Sequence, residues 1–117
     1  DYLSAKLYYD LGTYNGNASQ TADGRINGNN YLACITTAEN ALKDYPYTSM
    51  REEISILVLR AKYRLGTESV EEKKEERMRE AIDEYYAFKN EFPESKYIKE
   101  VESIYKDASK YVKELND

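Results

Sequence analysis

A chain of 117 residues, 41% of them hydrophobic and 33% charged, is the material of one globular domain. The net charge of −5, with Lys and Arg interleaved among Glu, argues against nucleic acid as a partner, because phosphate binding draws on a clustered basic stripe. The longest strictly aliphatic run, Ile56 to Leu59, is far short of the roughly 18 apolar residues that a membrane span requires.

In chain order the apolar spacing predicts five helices. The first, Leu3 to Leu11, carries Leu3, Leu7, Tyr8 and Leu11 on one stripe, with Gly12 following as the residue suited to a left-handed cap. Asn15 to Asn30 is rich in Asn, Gly, Ser, Thr and Asp and contains an Asp23-Gly24 turn signal, so it reads as an irregular segment or a small hairpin. A second helix is expected from near Tyr31 to Asp44, capped by Asn29 or Asn30. Ser49 with Glu52 forms a capping-box pattern ahead of a third helix that carries Ile54, Leu57, Val58 and Ala61 and stops at Leu65, before Gly66. Ser69 with Glu72 repeats the pattern for a fourth helix reaching Glu91, and Ser95 opens a last one running to about Glu114.

Pro46 and Pro93 each follow an aromatic residue, and they stand 47 residues apart. Sliding the chain by that interval lays Cys34, Ile35, Ala38, Ala41 and Tyr45 on Ala81, Ile82, Tyr85, Phe88 and Phe92. Beyond the prolines, Ile54, Leu57, Ala61 and Leu65 fall on Val101, Ile104, Ala108 and Val112. A small residue followed at i+4 and i+7 by larger ones, ahead of a proline, resembles the second helix of a tetratricopeptide (TPR) unit, in which the small residue admits the paired helix. The expected fold is therefore all-α: TPR-like antiparallel helix pairs forming an α-solenoid. One pair covers 1–46 with an inserted loop at 15–30, a second covers 47–93, and a terminal helix covers 94–117. Both pairs depart from the regular unit in having long connections, and lengthening a loop is cheap, about 0.6 kcal/mol per doubling.

Few residues point to chemistry. The absence of histidine removes the commonest general base and metal ligand. Cys34 is the only cysteine, and between a reactive thiol or lipid anchor and a small apolar spacer, the match to Ala81 favours the spacer. Asp23-x-x-x-Asn27-Gly28 has elements of a calcium loop, yet Arg25 and Cys34 stand where carboxylates are needed. Asn17-Ala18-Ser19 fits the short glycosylation pattern. Asp83 and Glu84 are adjacent and point to different sides of a helix, which does not make a catalytic pair. The mixed charges from Glu71 to Glu80 suit a solvated helix start, with an electrostatic docking strip as the other reading. No enzyme, cofactor or metal site is expected.

The thirteen tyrosines are the compositional excess. Tyr9 and Tyr63 each stand three residues before a glycine, and Lys6 and Arg60 stand three residues before them. In a TPR array that face of the first helices lines the concave groove, making Lys6, Tyr9, Arg60 and Tyr63 the candidate partner-binding residues, with core or groove wall as the plainer reading.

The run Leu7-Tyr8-Tyr9-Asp10-Leu11-Gly12, the segment Asn30 to Ile35, then Asn40 to Pro46 and Glu91 to Tyr97 resemble the BamD family in its Bacteroidetes-like form. These are TPR lipoproteins of the bacterial outer-membrane β-barrel assembly machinery, and the resemblance covers the C-terminal half of such a protein. It implies a scaffold that faces the periplasm and contacts the POTRA domains of a BamA-like barrel component and other assembly components. It further implies help in presenting unfolded outer-membrane proteins. Membrane attachment would come only through an N-terminal lipid anchor, which on this reading precedes the present chain. The Asn15 to Asn30 segment is longer than the family pattern. The other class of function in play is a general TPR adaptor that binds an extended peptide in its groove.

Overall fold

A computed structural model describes residues 2–14 and 25–112 of the chain, and the side chains of residue 14 and residues 25–29 are left aside. Among the described residues there are five α-helices and no strand: α1 (Tyr2–Tyr14), α2 (Arg25–Asp44), α3 (Arg51–Thr67), α4 (Glu71–Glu91) and α5 (Ile98–Ser109). The all-α expectation holds, and each helix packs on the next in sequence, with α1 also touching α3.

Helix α3 is the centre because it is apolar on two sides. Ile54, Leu57, Val58, Ala61 and Leu65 form one buried cluster with Ala5 of α1 and with Tyr31, Cys34, Ile35, Ala38 and Ala41 of α2. Ile56 and Leu59, on the other side, join Tyr85 and Phe88 of α4 and Val101 and Ile104 of α5. A smaller group of Met78, Ile82, Ala108 and Val112 closes the far end. At about 1.5–3 kcal/mol for each large aliphatic side chain removed from water, α3 contributes to both halves of the core at once.

The glycines act differently from the expected caps. Helix α1 runs through Gly12 to Tyr14, and α3 through Gly66 to Thr67. A β-carbon on Gly12 would meet Tyr31 Cε1 at 2.7 Å, and one on Gly66 would meet Met78 Sδ at 3.0 Å. Each glycine is thus a point of close helix approach. Tyr31 and Met78 are separated by the same 47 residues as the two prolines, whereas the glycines they meet stand 54 apart.

The proline turns repeat bond for bond. Tyr45 N donates to Ala41 O, Thr48 N to Tyr45 O and Arg51 N to Thr48 O; 47 residues on, Phe92 N donates to Phe88 O, Ser95 N to Phe92 O and Ile98 N to Ser95 O. Thr48 Oγ1 accepts from Met50 N at 3.1 Å, and Ser95 Oγ accepts from Tyr97 N at 3.0 Å. The capping expectations fail: the N-caps are Met50, Val70 and Tyr97, none with a side-chain cap bond, and the Ser95 hydroxyl folds back on the turn instead. Ser69 likewise donates to Leu65 O at 2.5 Å and accepts from Arg77 at 2.6 Å. Packed helix pairs with matching turns are compatible with a helical repeat.

Two further boundaries differ from the sequence expectation. Helix α2 starts at Arg25, so Asn29 and Asn30 lie inside it and the expected irregular segment is shortened from its C-terminal side. Asp23-Gly24, Asn17 and the rest of 15–24 lie outside the described residues. Helix α5 ends at Ser109, with a turn to Val112. The stripe expected to face the core on α1 is also reversed: Leu3 is 75% exposed and Leu7 58%, with Tyr8 and Leu11 exposed beside them. Tyr2, Ala5, Tyr9 and Gly12 form the inward side, because small residues there let α2 come close.

Candidate functional site

Lys6 and Tyr9 of α1 both lie within electrostatic reach of Arg60 on α3. Lys6, one turn before Tyr9, donates to Asp10 Oδ2 at 2.9 Å in an exposed pair. Tyr9 is half-buried, with its ring tilted against Tyr31 at 5.8 Å between centroids. Burial opposes the charge on Arg64, but a hydrogen bond with Tyr9 and the electrostatic pull of Tyr9, Tyr31 and Glu68 together hold the guanidinium above its usual range. Tyr63 is turned the other way, toward α5, and donates to Asp107. Burial and then that bond push the Tyr63 phenol up to about 12.

Arg60 is occupied within the fold. Its Nε and Nη2 donate to the two Glu100 oxygens at 2.6 and 2.7 Å, and its guanidinium stands 5.2 Å over the Tyr97 ring. The Glu100 hydrogen bonds hold its charge firmly in place. Tyr97 in turn donates to Glu53 at 2.6 Å, a bond that pushes its phenol up to about 12. Sequence reasoning missed Glu53, Tyr97, Glu100 and Asp107. The available signal was the seven-residue spacing of Glu100 and Asp107, which sets two carboxylates on one side of α5 opposite Arg60 and Tyr63.

An apolar cavity of about 540 Å³ opens where α1 begins, lined by Tyr2, Leu3, Ala41, Tyr45, Thr48, Met50 and Ile54. In the following turn the same places are held by larger or better-packed groups. Phe88 stands where Ala41 does and is buried, with the Phe92 ring 5.2 Å away, whereas Tyr45 is 68% exposed.

The remaining sequence candidates are plain. Cys34 is fully buried, as is Ala81, and burial pushes its thiol up to about 12. Among the described residues no group of three or more His, Cys, Asp or Glu is placed to hold a metal ion, and no helix is long and apolar enough to cross a membrane. The Glu71 to Glu80 run forms the first turns of α4, with Arg79 paired to Glu75 at 3.0 Å while Met78 points into the core. No protein-family model, curated protein or solved structure matches the chain.

Proposed function

We propose that this protein is a non-catalytic scaffold that binds partner proteins through TPR-like helix pairs, and that it serves the outer-membrane β-barrel assembly machinery at the periplasmic face. One observation carries the scaffold reading. The two proline turns recur bond for bond at the 47-residue interval that also separates Tyr31 from Met78, the residues that Gly12 and Gly66 meet, so the chain presents successive helix pairs built alike. The assembly-machinery setting rests on the sequence resemblance to the BamD family, and with it come the BamA-like POTRA domains as partner.

A second reading, an adaptor that takes an extended peptide along its groove, is favoured by the placement of Lys6, Tyr9 and Arg60 on one face of α1 and α3. Titration of the protein against isolated POTRA domains separates the two when repeated with charge reversals in Glu71 to Glu80 and with Tyr9→Ala and Tyr63→Phe. Loss with the charge reversals alone supports rim docking, and loss with the tyrosine variants alone supports groove capture. Absence of binding at high micromolar concentration leaves the assembly-machinery reading without support.

A further inference from the structure

Thirteen tyrosines, no tryptophan and a single cysteine make phenols the groups of this chain most open to one-electron oxidation, because the thiol is buried and held neutral. Among the described residues, tyrosine rings meet in two places. The Tyr9 and Tyr31 rings stand 5.8 Å apart, but Tyr31 is fully buried and its hydroxyl turns to Glu68 Oε2 at 3.4 Å. Between α4 and α5, three rings cluster: Tyr85 stacks on Tyr105 at 4.6 Å, and Tyr86 stands edge-on to both at 5.0 and 5.6 Å. Tyr85 is buried, and its hydroxyl donates to Glu102 at 2.9 Å. Tyr86 and Tyr105 are placed differently. Tyr86 is 52% exposed, Tyr105 is half-buried, and the Tyr86 hydroxyl donates to the Tyr105 hydroxyl at 3.3 Å.

We propose that Tyr86 and Tyr105 form a site of oxidative cross-linking, at which a one-electron oxidant of the peroxidase and hydrogen peroxide class joins α4 to α5 through a dityrosine bond. Their oxygens are 3.3 Å apart while the ring centroids are 5.6 Å apart, so the rings converge toward their hydroxyl ends. That brings the carbons ortho to the two hydroxyls closer than the centroids, and those are the carbons at which phenoxyl radicals couple. The Tyr85 ring, packed on both, holds them in this relation. Each phenol gives up one electron and its hydroxyl proton, and the pair of electrons and protons reduces hydrogen peroxide to two water molecules. The two radicals then form one carbon–carbon bond, and the ortho hydrogens move to the oxygens as the rings regain aromaticity. Each ring reacts with the other, so the site needs no further occupant. The bond closes 19 positions of chain and, like a disulfide, acts by restricting the unfolded state.

The site stands apart from any partner that the scaffold reading assigns, and the whole chain tests it. Dilute protein treated with a haem peroxidase and hydrogen peroxide is expected to yield a monomeric product lighter by two hydrogen atoms, with the blue fluorescence of dityrosine. Tryptic digestion should find peptide 80–89 joined to peptide 100–106, linked through Tyr86 and Tyr105. Tyr86→Phe and Tyr105→Phe should each lose that product, and Tyr85→Phe should keep it. All three variants retain the ring and shed only a hydroxyl, so the helices persist, which circular dichroism checks. The linked monomer should unfold at a higher urea concentration than the unlinked one, with slower amide exchange in α5. No product, cross-links only between molecules, or a linkage at other tyrosines overturns the proposal. So does an undiminished yield from Tyr86→Phe, or an equal yield of the same linkage in concentrated urea, where the fold no longer sets the pair together.

Discussion

Arg60 on α3 holds Glu100 on α5 with two parallel hydrogen bonds, tying together two helices that are not consecutive in the chain. Both side chains keep about a third of their surface in water, so the pair is worth the upper part of the exposed range, about 1 kcal/mol. Arg60→Ala is expected to lower stability by that amount in urea melts, and Glu100→Gln by less. The difference from the parent should shrink in high salt, as a screened pair requires.

The two close-approach glycines should respond differently to alanine. Helix propensity favours alanine by about 1 kcal/mol at either site. At Gly12 the new methyl meets the rigid, buried Tyr31 ring, and overpacking of that kind costs about 1–3 kcal/mol. At Gly66 it meets the flexible thioether of Met78, which yields at little cost. Gly12→Ala should therefore be the less stable of the two by about 1–2 kcal/mol in parallel denaturant melts.

Cys34 is fully buried in the cluster shared by α1, α2 and α3, so Cys34→Ala is expected to be mild, whereas Cys34→Phe costs about 1–3 kcal/mol through overpacking. Because burial also holds the thiol neutral, a maleimide should label Cys34 only as fast as the protein opens. Labelling rates measured with and without low urea check this directly.

Tyr63 gives the protein an alkaline limit. Its phenol is pushed up to about 12 in the fold, above the usual value of 10, so the folded state keeps this proton longer than the unfolded chain does. The resulting stability is fully present below about pH 10 and is lost as pH rises toward about 12. Melts across that window should show stability falling with pH, and Tyr63→Phe should flatten the slope.

How much of this was legible in the sequence depended on whether the deciding contact was local. The 47-residue interval, the buried Cys34 and Ala81, and the end of α4 at Glu91 follow from spacing within single helices. The first helix was read inside out, because Leu3, Leu7 and Leu11 form the stronger apolar stripe, while the side chosen by α2 is marked only by the smallness of Ala5 and Gly12. The glycines were misread as caps because a stop signal and a close contact use the same residue for different reasons. The candidate groove residues were named without their carboxylate partners. Glu100 and Asp107 lie 40 and 44 positions beyond Arg60 and Tyr63, a distance over which helical periodicity carries no information.

The burial of α3 on two sides bears on how the molecule comes apart. Stacked helix pairs whose contacts run only between neighbours unravel from their ends, each pair leaving with its own transition. Here the first pair keeps its core only while α3 is present, the second pair does so as well, and Lys62 of α3 reaches Glu39 on α2 and Glu84 on α4 at 3.5 and 2.9 Å. Apart from the small Met78, Ile82, Ala108 and Val112 group, neither half has a hydrophobic interior built without α3. Loss of α3 removes both interiors together, so heat or denaturant should meet a single cooperative unit, with the slowest amide exchange along Ile54 to Leu59 and faster exchange toward α5.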